Sequence, residues 1–204
     1  MVKQTHPLSI VFGKASKDEA RTIAELHKTN IPSGFLSTLD TTFLEILYET
    51  FISSRCTFCL VARNGEAPVG FIACSLNTMH SYREFITKHW HRAMALAWKK
   101  CVNPQTMRRI VETLRYPWKT DDGLPKSELL SIAVNTEYRR SHVGERLFRN
   151  AVQVFNANGI SEFKVVVGSN LSNACRFYEQ MGARRHATVS IHLNEDSNVY
   201  LVKV

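Results

Sequence analysis

Two short segments of the 204-residue chain carry residue types and spacings from which chemistry can be built. The first runs from Glu128 to Glu145, ELLSIAVNTEYRRSHVGE, an apolar strand that passes through a polar turn into a helix beginning near Gly144. A helix start offers free backbone N–H groups and the positive end of its dipole, which together suit a phosphate. Arg139 and Arg140 add charge at that point, and Gly144 lets a ligand come close to the backbone. Alone the pattern is common, because many strand-to-helix turns hold a glycine and an arginine. The second segment runs from Asn170 to Gly182, NLSNACRFYEQMG, and places Asn173, Phe177 and Tyr178 near a helix that follows another apolar strand. A tyrosine on such a helix, taken by itself, is ordinarily a core residue with its hydroxyl at the surface.

In this order and spacing the two segments resemble the GNAT acetyltransferase superfamily. That family follows a strand with Arg/Gln-x-x-Gly-x-Gly/Ala, which opens a helix and holds the coenzyme A pyrophosphate. The matching residues are Arg139, Arg140, Ser141, His142, Val143 and Gly144, followed by Glu145. The later family pattern, an Asn, a small residue, then Phe-Tyr-x-x-x-Gly, is matched by Asn170 or Asn173, then Ala174, Phe177, Tyr178 and Gly182. The strand from Glu128 to Val134 also looks like the family's. The resemblance is close over residues 128–204, and the first 77 residues match only in element order. One departure stands out: His142 takes the place of the first motif glycine, where a side chain either crowds the pyrophosphate or points away.

The resemblance implies a mixed, mostly antiparallel α/β (α+β) sheet, flanked by helices, with a central pair of parallel strands that splay apart. It implies acetyl-CoA as co-substrate and an amine as acceptor, with no metal. The pantetheine arm would pair with the backbone of Ile132, Ala133 and Val134, and an amide near Val134 would polarise the thioester carbonyl, an oxyanion-type contribution. Tyr178 is the implied general acid toward sulfur, since a phenol with a reference pKa of ~10 stays protonated beside a thiol at ~8.5. Glu128 lies where some members carry the base. A solvent-facing strand end or a salt bridge is the competing role for Glu128, and His142 beside the phosphates is a weaker base.

The elements that must position these groups follow from hydrophobic period. A short strand is expected from Leu8 to Phe12, helices from Lys17 to Asn30 and from about Thr41, and strands from Thr57 to Arg63 and Val69 to Leu76. Asn64-Gly65 between the last two is a hairpin signal. Tyr82, Phe85, Ile86, Trp90, Ala93, Met94, Ala97, Trp98 and Cys101 then repeat at helical spacing, and Pro104 precedes a shorter helix. This enlarged helical insertion, about residues 79–118, comes before the cofactor strand. Strand, helix (Val143 to Phe155), strand (Phe163 to Val167) and helix (Leu171 to Met181, stopped by Gly182) then alternate. Two parallel strands joined by a crossover are expected there. His186 to Leu193 and Val199 to Val204 read as a final hairpin, and a single domain over 1–204 is the default.

Composition narrows the setting. Hydrophobic content of 44% and charged content of 22% are those of a globular chain, and no apolar run reaches the ~20 residues of a membrane helix. Five scattered cysteines and no export signal point to a reducing cytoplasm rather than a disulfide framework. Lys and Arg exceed Asp and Glu by eight, so the surface attracts anions, but no basic run with interleaved aromatics singles out nucleic acid. His89 and His91 are two apart and face different ways, which disfavours a metal, and Cys56 and Cys59 read as core thiols. The aromatics Tyr82, Trp90, Trp98, Tyr116 and Trp118 either wall a pocket for a small amine such as an amino sugar, or pack on the core or in a homodimer interface. A protein or peptide acceptor, and a coenzyme A-binding module without turnover, are the alternatives.

Overall fold

The computed structural model describes residues 9–31, 35–88, 123–192 and 195–204. Most of the helical insertion, with Trp90, Trp98, Tyr116 and Trp118, lies outside the described residues, as do His89, His91 and Leu193.

Seven strands form one sheet in the order β1-β2-β3-β4-β5-β7-β6. They are β1 (Ile10–Lys14), β2 (Thr57–Asn64), β3 (Ala67–Ser75), β4 (Glu128–Val134), β5 (Glu162–Gly168), β6 (Arg184–His192) and β7 (Glu195–Lys203). Every neighbouring pair is antiparallel except β4 with β5, which is parallel. The described helices are α1 (Ala20–Asn30), α2 (Thr41–Ser53), α3 (78–88), α4 (Val143–Ala157) and α5 (Ser172–Gln180). The expected mixed, mostly antiparallel sheet with a central parallel pair and flanking helices is what the structure shows.

Helices on both faces explain why β2 and β3 are apolar without alternation: Phe58 to Ala62 and Val69 to Cys74 are buried throughout, apart from the glycine's own lack of side chain. On one face α4 and α5 cover Leu129, Phe163, Val165 and Tyr200 with Val143, Leu147, Phe148, Ala151, Phe155 and Tyr178. On the other, α1, α2 and Phe85 of α3 pack Ile23, Leu44, Tyr48 and Phe51 on Val61, Phe71 and Ala133. Residues four and three apart on α4 point the same way, so its period of 3.6 puts all five of its buried side chains on one stripe.

Helix starts are built locally. Ser16 and Glu19 form a capping box ahead of α1, and both oxygens of Glu19 then receive the Arg63 guanidinium at 2.6 and 2.7 Å. Asp40 caps α2 through the amide of Thr42 at 3.0 Å.

Several boundaries differ from the sequence expectation. The hairpin loop is Gly65-Glu66 rather than Asn64-Gly65, because Asn64 pairs with Ala67 and Gly65 alone takes the positive φ of 62°. A two-residue loop with glycine first matches the strand twist. β1 sits two residues late, since its bounds are set by pairing with β2 from Ile10↔Asn64 to Lys14↔Leu60. Strands β6 and β7 extend to Arg184 and Glu195, where ladder bonds carry polar residues that hydrophobic pattern ignores.

Candidate active site

The cleft begins where two parallel strands stop pairing. β4 and β5 share the pairs Glu128↔Lys164 and Leu129↔Val165 and no others. On its other side β4 stays paired with β3 as far as Gly70↔Val134. That ladder jumps from Cys74↔Leu129 to Ala73↔Ser131, which leaves Leu130 as an extra residue on β4. A bulge bends its strand and sharpens the twist. The bend falls at the residue after the last β4–β5 pair, so β4 turns away and the strands open as a V. Facing β5, the backbone from Ser131 to Val134 has no ladder partner among the described residues. Such an edge can take up an extended ligand by main-chain hydrogen bonds. Gly70 packs closely opposite it: a Cβ there would stand 3.1 Å from the carbonyl oxygen of Ala133.

Beyond Val134 the chain turns sharply. The Asn135 amide donates to Val69 O at 2.8 Å, and its side chain accepts from Glu137 N. Arg139 clamps the turn, donating from Nε to Val134 O at 3.2 Å and from Nη2 to Asn30 Oδ1 at the end of α1 at 3.1 Å. Arg140 and His142 both hold left-handed backbone, at φ of 62° and 59°. Turns of this kind gather successive amides into anion-binding concavities. The conformation also explains why the family favours glycine at position 142, and histidine is among the side chains that tolerate it best. The His142 ring does not crowd the turn: it is 75% exposed, with Nδ1 at 3.0 Å from Glu145 Oε1. His142 gives α4 no side-chain cap, so the first-turn amides, at Val143, Gly144 and Glu145, remain open to an anion. A Cβ at Gly144 would meet Phe177 and Val134 at 3.7 Å, ordinary contact, so packing does not demand glycine there. Ser141 is exposed and donates to Tyr138 O at 2.6 Å.

Tyr178 lies on the face covered by α4 and α5, 6% exposed, its ring against Phe148, Phe177 and Tyr200. Burial first, then the nearby thiols of Cys74 and Cys175, push its phenol well above the ordinary value, so it keeps its proton. Its hydroxyl makes no hydrogen bond among the described residues. Glu128 is buried at the closed foot of the V, with Oε2 at 3.6 Å from Lys164 Nζ and 3.3 Å from Thr78 Oγ1. Asn170 and Asn173 are both exposed, and Asn173 Oδ1 accepts from Arg176 at 2.7 Å. Among the described residues no three His, Cys, Asp or Glu side chains are grouped to hold a metal, and no helix is long and apolar enough to cross a membrane.

A bulged strand parting from its parallel neighbour, followed by an uncapped helix, can hold an extended ligand that carries a diphosphate. The sequence model of the Acetyltransferase (GNAT) family matches residues 21–183. The chain belongs to this family. Among solved structures, NAA60 of Arabidopsis thaliana in complex with acetyl-CoA is similar at 14% identity and a TM-score of 0.61, over 96% of this chain and 99% of that one. PaiA N-acetyltransferase of Thermoplasma acidophilum in complex with coenzyme A gives 15%, 0.57, 96% and 99%. The ribosomal-protein-S18-alanine N-acetyltransferase of Escherichia coli gives 8%, 0.60, 95% and 93%. No curated protein sequence is significantly similar to the chain.

The acetyltransferase thus gathers Ile132, Ala133, Val134 and the turn from Arg139 to Glu145 at one end of the V, and Glu128 at the other. Asn170 and Asn173 are exposed, in the loop before α5 and in its first turn. Sequence reasoning missed the bulge at Leu130, which is a property of register between strands. It also missed Lys164, although a lysine inside the apolar run Phe163–Val167 is a legible signal. A third miss is the buried pair of His27 Nδ1 and Tyr48 hydroxyl, 2.6 Å apart. His27 Nε2 has no hydrogen-bond partner among the described residues, and burial lowers the imidazole pKa to about 4.

Proposed function

We propose that this acetyltransferase moves the acetyl group of acetyl-CoA directly onto a primary amine of a small molecule, such as an amino sugar. The observation that carries the reading is the V itself: β4 exposes an unpaired edge that leads straight to the open amides of α4. The edge at Ile132, Ala133 and Val134 takes the pantetheine arm. The turn amides, with Arg139, Arg140, Ser141 and His142, and α4 from Val143 through Gly144 to Glu145, take the diphosphate. Asn170 and Asn173 flank the cofactor from the α5 side.

Acetyl-CoA supplies an activated thioester. The amine nitrogen bonds to the thioester carbon, the C–S bond breaks, and the developing oxyanion is met by the amide near Val134. Glu128, about 20 Å from Val134 along β4, takes up the amine proton through a relay of waters, and Tyr178 gives its hydroxyl proton to the departing sulfur. Burial keeps the phenol protonated, so its hydroxyl, which makes no hydrogen bond among the described residues, can donate one to the sulfur. Acceptor contacts fall to the helical insertion and to the stretch between α1 and α2, and no acyl-enzyme is formed on Cys175.

The second reading is a peptide or protein amine, favoured by the similarity to an enzyme named for the alanine of ribosomal protein S18. Free thiol measured over a panel of amino sugars, other small amines and peptides decides between them. Tyr178→Phe is expected to slow thiol release by about 10- to 100-fold while leaving the acetyl-CoA dissociation constant within a few-fold. Equal rates would remove Tyr178 from the chemistry, and no thiol release with any amine would remove the enzymatic reading.

A further inference from the structure

Lysine is among the side chains least often fully buried, and a buried ion pair is a poor device for stability alone. Yet Lys164 is 4% exposed and its register partner Glu128 is 5% exposed. The Lys164 ammonium stands 3.6 Å from Glu128 Oε2 and donates to Pro125 O at 2.6 Å. Thr78, at the start of α3, donates from N and from Oγ1 to Lys126 O at 2.8 Å each, and also reaches Glu128 Oε2. One ammonium therefore fastens β5 to β4 and to the segment 123–127 that returns from the insertion. It does so at the foot of the V, one residue before the strands part.

We propose that Lys164 is a positioning residue for Glu128, fixing the orientation and the charge of the carboxylate that receives the acceptor's proton. The inference rests on the reading of Glu128 as the base. The proton that moves passes from the amine nitrogen to a Glu128 oxygen. The described groups that face Glu128 are Thr78 and Tyr82 of α3, its β3 partner Ser75, and Lys164 of β5. Lys164 is the cation among them.

The test is the pH dependence of kcat/KM for thiol release from acetyl-CoA, with glucosamine and an alanine-led tripeptide as acceptor probes. A general base works ionised, and a neighbouring cation favours that form. Glu128→Gln should slow release by about 30-fold or more and flatten the acid-side limb. Lys164→Gln should move that limb up by about one pH unit or more, with rates converging on wild type at high pH. Lys164→Arg should return the limb. A purely structural lysine would lower the melting temperature without moving the limb, and that result in folded Lys164→Gln overturns the inference.

Stranding a buried carboxylate can prevent folding, so the double variant Lys164→Met with Glu128→Gln, which removes both charges of the pair, is measured beside the singles. It should be no slower than Glu128→Gln alone, because Lys164 acts through Glu128. A further tenfold loss overturns the positioning role. If Glu128→Gln is as fast as wild type, or neither probe releases thiol, the base reading falls first and Lys164 has nothing to position.

Discussion

His142 shows how a departure from a family pattern is absorbed at a single residue. Its left-handed backbone costs an L side chain about 1–2 kcal/mol relative to glycine, while its exposed contact with Glu145 contributes little. His142→Gly is therefore expected to raise the melting temperature by about 2–8 °C, checked by calorimetry. A fall would mean that the Glu145 contact holds the turn. His27 makes the opposite kind of prediction. Its folded pKa, lowered to about 4 by burial from an ordinary 6.5, lets the unfolded chain bind the proton first as pH drops. The stability it contributes is whole above pH 6.5 and is lost progressively down to about pH 4, up to about 3 kcal/mol in all. Urea midpoints should fall across that window in wild type and fall less in His27→Gln. Equal slopes in both would remove His27 as the cause. Nothing in the sequence marked His27 or Tyr48, because both sit on helix stripes that read as core.

Among the elements, β4 decides the site, and it does so through its neighbours. Its bulge at Leu130 and the absence of a side chain at Gly70 set how it leaves β5 and how closely β3 follows it. Gly70→Ala would press a methyl onto the Ala133 carbonyl, and neither backbone can retreat without shifting the ladder. The expected cost is about 1–3 kcal/mol of stability, with acetyl-CoA binding weakened more than in His142→Gly. Denaturant titration and calorimetry together check it, and unchanged binding would detach this strand from the cofactor. Helix α4 was legible in advance, because a 3.6 period and an uncapped start are properties of consecutive residues. Lys164 was legible only as an oddity in an apolar strand, since its meaning depends on a register partner 36 positions away in sequence, Glu128.

For the molecule as a whole, the chain carries an excess of eight positive charges, which favours a polyanion. Acetyl-CoA at 100 times its dissociation constant should raise the melting temperature by about 5–10 °C, from ~2.7 kcal/mol of linkage. Raising salt from 50 to 500 mM should weaken that shift, because exposed charges such as Arg140 are screened. A salt-independent shift would place the affinity in the backbone amides and the pantetheine edge instead.

The sequence by itself determined the kinds of element, the parallel pair, the strand-to-helix turn with its two arginines and the family, because each follows from local period, local charge or a compact motif. Only the tertiary structure decided where β4 parts from β5, that Glu128 is met by Lys164, and that the His142 ring faces solvent. Those depend on register and on side chains brought together from distant segments, and a one-residue slip in pairing would reverse each of them.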